Sequence, residues 1–323
     1  MLSRVAENLY WMSRYIERAD NLARLVVAHQ TELIDATTEA SGEFEWHPLL
    51  EATAMGDAES SEDVISYIVS SEENEDSVYN SVYQARENGR AVRDQISEEI
   101  WLTLNTLWLA LRQVPKDSPD RNQAICELVT QAALVIRGLE QSALPRTEVH
   151  SFIQLGTNIE RADKTSRLVD LPHYLPEGEV DSAWNTMIRA CGAAVEHRQK
   201  NGGEVSAASA STLLLFSNSF PRSVRYCVRS IDELLRRISQ SSPGNYVNEA
   251  ERVSGLLLAR LDYRGVEDVG EKGLHDYVDS IQVDLNRIGQ EIQQRFFYNR
   301  KDAPLTEADD YVKRRFQMQQ LQQ

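Results

Sequence analysis

The chain has 323 residues, with 34 Lys and Arg against 50 Asp and Glu, a formal charge of −16. Its 15 Gly and 9 Pro fall well short of the roughly 12% these residues reach on average, which argues against a turn-dense all-β fold and suits long helices. So acidic a balance counts against nucleic acid as a partner, because neutralising phosphates takes clustered Lys and Arg.

Prolines 48, 115, 119, 145, 172, 176, 221, 243 and 304 divide the chain into candidate helical runs, because proline breaks helix interiors. In the first run Met12, Ile16, Ala19, Ala23 and Val26 recur at three-to-four spacing, with Glu17, Asp20, Asn21 and Arg24 on the other side. The acidic stretch 53–80 follows, expected as a solvated loop around one short helix (64–69) or as a docking face for a basic partner. Further helices are expected over 82–111, 125–144, 152–169, 182–197, 223–238, 249–261 and 276–297, with a loop over 199–211. No stretch alternates as a strand over more than five residues. The expected fold is all-α, a helical domain over 1–300 with a C-terminal tail or extension over 301–323 that ends in a glutamine-rich run.

Cys126, Cys191 and Cys227 are widely spaced and form no CxxC pair, which points to reduced thiols rather than disulfides or zinc. No apolar run of signal-peptide or membrane-spanning length appears, so the expectation is a soluble, cytoplasmic chain with no membrane partner.

A repeat runs through this pattern. Ile16-Glu17-Arg18-Ala19-Asp20 returns as Ile159-Glu160-Arg161-Ala162-Asp163, and Arg24-Leu25-Val26 returns as Arg167-Leu168-Val169 at the same offset. Trp46 and Trp184, then Ser81-Val82 and Ser223-Val224, follow in the same order. Two tandem halves, about 1–142 and 143–300, are therefore expected to form one bundle with pseudo-two-fold symmetry and a shared core.

The Glu-Arg pairs admit three readings. Glu17 with Arg161 and Glu160 with Arg18 form reciprocal ion pairs across the pseudo-axis, fixing register. Alternatively, Glu17, Asp20, Glu160 and Asp163 converge as carboxylates, with Glu17 and Glu160 as acid/base groups or, with oxygens alone, as a hard-cation site. Or Arg18 and Arg161, with Asp20 and Asp163, line a polar pocket for a substrate, peptide or partner. Within each helix Asp20 and Arg24, and likewise Asp163 and Arg167, stand four apart and can pair. A second basic set, Arg86, Arg90 and Arg93 with Arg222 and Arg225, follows the two Ser-Val sites. It is either a solvated face paired with Glu87, Asp94, Asp232 and Glu233 or a site for phosphate, carboxylate or a peptide C-terminus. Ser81 and Ser223 read as helix N-caps rather than nucleophiles. The six histidines show no metal spacing, and no phosphate loop or nucleophile triad is present.

The N-terminal run Met1-Leu2-Ser3-Arg4-Val5-Ala6-Glu7-Asn8-Leu9-Tyr10-Trp11-Met12, leading into Arg14-Tyr15-Ile16-Glu17-Arg18-Ala19, resembles the bacterial alpha-E family. So do Ala85-Arg86-Glu87-Asn88-Gly89-Arg90-Ala91-Val92-Arg93-Asp94-Gln95, Leu155-Gly156 ahead of Ile159 to Asp163, and Phe220-Pro221-Arg222-Ser223-Val224-Arg225. Ser13 stands where the family has a glycine, which Gly156 retains. The resemblance implies an all-helical domain encoded beside, or fused to, a circularly permuted ATP-grasp protein, with a transglutaminase-like protein often nearby. ATP-grasp enzymes join a carboxylate to an amine through an acyl phosphate. The implied role is an accessory or binding subunit of an amide (peptide) ligase system. ATP and Mg would be supplied through the partner, with no cofactor in this chain and a peptide or amino acid as substrate. An enzyme of the same pathway and a structural oligomerisation module, possible as a homo-oligomer, are the alternatives.

Overall fold

The computed structural model describes residues 1–35, 50, 61–175, 180–242, 244–265, 269 and 273–297. Among the described residues the regular structure is twelve α-helices and one 3₁₀ turn, without strands. In chain order these are α1 (Ser3–Asp35), α2 (Ser61–Val69), α3 (Val78–Ala91), α4 (Glu98–Gln113), α5 (Arg121–Ser142) and α6 (Glu148–Asp170). The 3₁₀ turn Leu171–Tyr174 follows, then α7 (Val180–Ala190), α8 (Ala194–Asn201), α9 (Ala207–Phe216), α10 (Val224–Ser239), α11 (Glu249–Tyr263) and α12 (Leu274–Phe296).

Met12, Ile16, Ala19, Ala23 and Val26 are buried as their spacing predicts. The opposite side of α1 departs from the expectation, because Glu17 and Asp20 are buried too. The reason lies in the packing of α1, which contacts α3, α5, α6 and α7 and so has almost no side left for water. Helix α6 is the second centre, contacting α1, α10, α12 and α9, with buried residues along its whole length. The two approach tightly at Gly156. A Cβ there would collide with the Ser13 hydroxyl and the Tyr10 carbonyl, so only glycine allows this approach. Ser13 fits opposite because its Oγ turns back and donates to Tyr10 O at 2.9 Å.

Four boundaries differ from the sequence expectation, each for a local reason. The expected single helix over 82–111 is two, α3 and α4. Val92 ends the first, and Ser97 opens the second by accepting from Ile100 N at 3.3 Å, with Glu98 and Glu99 at the positive helix start. The N-cap of α3 is Ser77, which accepts from Asn80 N at 3.1 Å, while Ser81 is a buried residue inside the helix. The expected helix over 182–197 breaks at Gly192, whose φ of 67° lies in the left-handed region. Part of the expected loop over 199–211 is helical as well. Ser206 and Ser209 close a capping box at the start of α9, whose small and apolar residues are not segregated to one side and so give no stripe to reveal it. Ser223 caps α10 as expected, accepting from Tyr226 N at 3.1 Å. Trp46, residues 51–60 of the acidic stretch and the tail 301–323 lie outside the described residues.

Candidate functional site

Glu17 and Glu160 face each other's helices near the α1–α6 crossing, and each is gripped by the arginine of the other's motif. Arg18 donates to Glu160 through Nε at 2.6 Å and Nη2 at 3.1 Å. Arg161 donates to Glu17 through Nε at 2.9 Å and Nη2 at 3.0 Å. Both pairings are two-pronged, the geometry that suits a planar guanidinium against a carboxylate. The reciprocal pairing drawn from the repeat is therefore present.

Each glutamate also gathers residues that the sequence did not place with it. Arg14, one turn before Arg18, reaches Glu160 at 2.8 Å. Arg18 also donates to Asp76, which sits just before the Ser77 cap of α3. Arg222, just before the Ser223 cap of α10, donates to Glu17 at 3.0 Å and to Asp20 at 2.8 Å. Arg137 of α5 joins the same two carboxylates, reaching Glu17 at 3.2 Å. Arg24 holds Asp20 at 2.9 Å and Arg167 holds Asp163 at 3.1 Å, as their i,i+4 spacing predicts. The two clusters differ in charge. Around Glu160 lie Arg14, Arg18, Lys164 and Arg167 with Asp76 and Asp163. Around Glu17 lie Arg24, Arg137, Arg161 and Arg222 with Asp20 alone. The second cluster thus holds four guanidiniums over two carboxylates.

These contacts set the protonation states. Burial alone would raise the Glu17 carboxyl, but Arg161, Arg222 and Arg137 override it and hold the group well below the ordinary carboxylate range. For Glu160 the same burial penalty is overridden by Arg18 and Arg14, again with a strong downward result. Both motif glutamates are therefore carboxylates at any ordinary pH. Glu140, one turn beyond Arg137, goes the other way. Burial dominates there, and its carboxyl is pushed up to about 7 even though Gln154 Nε2 donates to it at 3.0 Å. At the Glu17 end two buried donors, Arg137 Nε and Asn21 Nδ2, have no hydrogen-bond partner among the described residues. The side chains of Arg137 and Arg24 are 22% and 24% exposed, so this end opens to solvent.

The second basic set does not assemble as one face. Arg86 pairs with Glu87 at 2.5 Å and Asn105 at 2.9 Å, and Arg90 with Glu87 at 2.6 Å. Arg93 falls beyond the end of α3 and so leaves the helical face assigned to it. Arg225 shares Asp262 of α11 with Arg229, at 2.7 and 2.9 Å. Only Arg222 turns inward to the motif glutamates. The acidic segment likewise divides, since Asp76 enters the ion network whereas Glu72 pairs with exposed Lys116.

An all-helical body built on two central helices, each pinned to the other by a Glu-Arg pair, is the class this architecture defines. The chain belongs to the Alpha-E family, described as a predicted alpha-helical domain with a conserved ER motif, whose model matches residues 1–297. It is similar to uncharacterized proteins of Mycobacterium bovis and of two Mycobacterium tuberculosis strains. Each is 26% identical over 305 residues, covering 84% of this chain and 34% of the relative. The chain therefore spans about a third of the length of the curated relatives it matches. No solved structure matches it. Among the described residues no helix is long and apolar enough to cross a membrane.

Proposed function

We propose that this chain is a binding subunit of an ATP-grasp amide ligase system, holding the ligase or its anionic peptide or amino-acid substrate rather than performing acid/base chemistry. The observation that carries this reading is the state of the motif carboxylates. Glu17 and Glu160 are buried, ionised and fully occupied by guanidiniums. A general acid or base needs a pKa near the working pH and access to the proton it moves, and these groups offer neither. Their arginines, in contrast, outnumber the carboxylates at the Glu17 end, where the Arg137 side chain is partly exposed and its buried Nε has no hydrogen-bond partner among the described residues, which suits a carboxylate or phosphate ligand. The greater length of the mycobacterial relatives supports a domain that works beside others.

The chain is also, in our reading, a tandem duplication. What supports it is the repetition of contacts and caps. Helix α1 packs on α3 and α5, and α6 packs on α10 and α12; α3 packs on α4, and α10 on α11. Ser77 Oγ donates to Ser71 O at 2.7 Å, and Ser223 Oγ to Ser217 O at 2.5 Å. The same turn thus precedes both caps, with Ser77 rather than Ser81 as the counterpart of Ser223. On that alignment Asp76 corresponds to Arg222, an exchange of sign that adds to the cationic surplus of the Glu17 cluster. A cytoplasmic location belongs to this proposal and agrees with three free, buried cysteines.

Co-purification with a circularly permuted ATP-grasp protein, the neighbour that the family resemblance implies, tests the reading. A stoichiometric complex whose amide-forming turnover depends on this chain is expected, weakened by Arg137→Ala at the cationic end. No complex and no effect on turnover would overturn it. A stable homo-oligomer without either would favour a purely structural module.

A further inference from the structure

The Glu17 cluster crowds its cations onto a single oxygen. Asp20 Oδ2 accepts from Arg24 Nε at 2.9 Å, from Arg222 Nη2 at 2.8 Å and from Arg137 Nη2. The three donor nitrogens therefore stand no farther apart than two hydrogen bonds laid end to end, and their guanidiniums repel one another where water is largely excluded. Arg161 adds a fourth cation through Glu17. Against these four stand the carboxylates of Glu17 and Asp20 alone, which leaves a surplus of two positive charges. Glu140, the next carboxyl along α5, leaves that count unchanged in weakly acidic solution, because burial raises its carboxyl to about 7.

Most of the donors left over belong to two of the four arginines. Among the described residues Arg24 bonds through Nε alone and Arg137 through Nη2 alone. Both terminal nitrogens of Arg24, with Nε and Nη1 of Arg137, remain open. These two side chains are also the more exposed of the four. Asn21, beside Asp20, adds the unpartnered donor Nδ2. The surplus is particular to this end. The buried residues of α5, from Ile125 to Glu140, recur in the same order and spacing in α12, from Tyr277 to Ile292. On the proposed duplication Gly289 then takes the place of Arg137, as Asp76 takes that of Arg222. The Glu160 end, where four cations face three carboxylates, pins the same pair of helices without so large a surplus.

We propose that the Glu17 end binds the doubly charged phosphoryl group of a phosphate monoester, with Arg24 and Arg137 as its ligands. This names the ligand class for the holding role proposed above and rests on that reading. A single carboxylate cancels one of the two surplus charges. A phosphate monoester carries about −1.5 to −2 near pH 7 and offers three acceptor oxygens. The open fork of Arg24 takes two of these side by side, the geometry in which arginine holds phosphate, and the open nitrogens of Arg137 take the third.

Calorimetric titration of methyl phosphate and of acetate into the full chain, at pH 6.5 and equal ionic strength, tests the assignment. One equivalent of methyl phosphate is expected to bind, about tenfold more tightly than acetate, the worth of one further charge-assisted hydrogen bond, and to raise the melting temperature. Arg24→Gln is expected to weaken it by about tenfold for the same reason. Arg167→Gln makes the same change in the other half, where Arg167 holds Asp163 as Arg24 holds Asp20. It is expected to leave the affinity unchanged, which separates ligand contact from a merely structural effect. Free O-phosphoserine and a short peptide containing it, titrated in parallel, tell a small ester from a peptide as the source, and the tighter of the two names it. Absence of saturable methyl phosphate binding would overturn the proposal, while the ligase complex sought by co-purification would stand or fall separately. Acetate binding as tightly, and lost with Arg24→Gln, would overturn it in favour of a carboxylate ligand at the same site. Equal weakening by Arg24→Gln and Arg167→Gln would overturn it by placing the anion elsewhere.

Discussion

Replacing Glu140 by Gln removes a carboxyl group that the fold keeps protonated to unusually high pH. The unfolded chain releases that proton near the ordinary value of 4.5, whereas burial holds it in the folded chain until about 7. Between those values the folded state binds more protons, so stability falls as pH rises, and above about 7 the full penalty remains. The interval between the two values corresponds to roughly 3 kcal/mol. Gln has nearly the same shape, can still accept from Gln154, and carries no charge to bury. Glu140→Gln is therefore expected to match the native chain near pH 4 and to exceed it by up to roughly 3 kcal/mol at pH 8. For a chain of this size that is a rise of about 4–6 °C in melting temperature. Denaturant melts of both proteins across this pH range measure the difference directly. A difference that stays constant with pH, or a variant less stable at pH 8, would refute the reasoning.

Other perturbations probe the central helices. Glu160→Gln strands Arg14 and Arg18 beside a neutral group and is expected to cost about 3–5 kcal/mol, the range for breaking a buried ion pair from one side; chemical denaturation at pH 7 measures it. Gly156→Ala drives a methyl group into the Tyr10 carbonyl. It should cost about 1–3 kcal/mol by overpacking, and Ser13→Gly, which leaves that carbonyl in place, should not restore the loss. Ser77→Ala and Ser223→Ala each remove a helix cap and are expected to cost about 1 kcal/mol, whereas Ser81→Ala, inside α3, leaves the cap intact and should cost less in the same melts. Glu17 and Glu160 have depressed pKa values in the fold. Their contribution to stability is full above the ordinary 4.5 and is lost as pH falls below it. Acid unfolding of Glu160→Gln should accordingly be shallower than that of the native chain.

The sequence made the motif pairing legible because it repeats. Two Glu-Arg dipeptides in similar surroundings require similar partners, and each finds the other. Asp20 with Arg24 and Asp163 with Arg167 were legible because a helix fixes what lies four residues on. Arg14, Asp76 and Arg137 were not, since Arg14 meets Glu160 across the α1–α6 crossing, while Asp76 meets Arg18 and Arg137 meets Glu17 through the docking of α3 and α5, which no local spacing encodes. Asp76 was further hidden in an acidic run whose other members suggest a solvated loop. The break between α3 and α4 lacks Gly and Pro and leaves the apolar period nearly intact, so only Ser97-Glu98-Glu99 marks it. Helix α9 does not segregate its polar and apolar residues and so shows no period. Asp170 and His275, 105 residues apart, meet only through the packing of α6 and α12.

The account's central claim is that the motif glutamates hold the two helices together and do not move protons. Amide-forming turnover of the proposed ligase complex, measured with Glu17→Gln and Glu160→Gln subunits at a temperature where both are folded, tests it most directly. The account predicts native turnover per folded complex despite a lowered melting temperature. Turnover abolished while folding and ligase binding remain intact would contradict it.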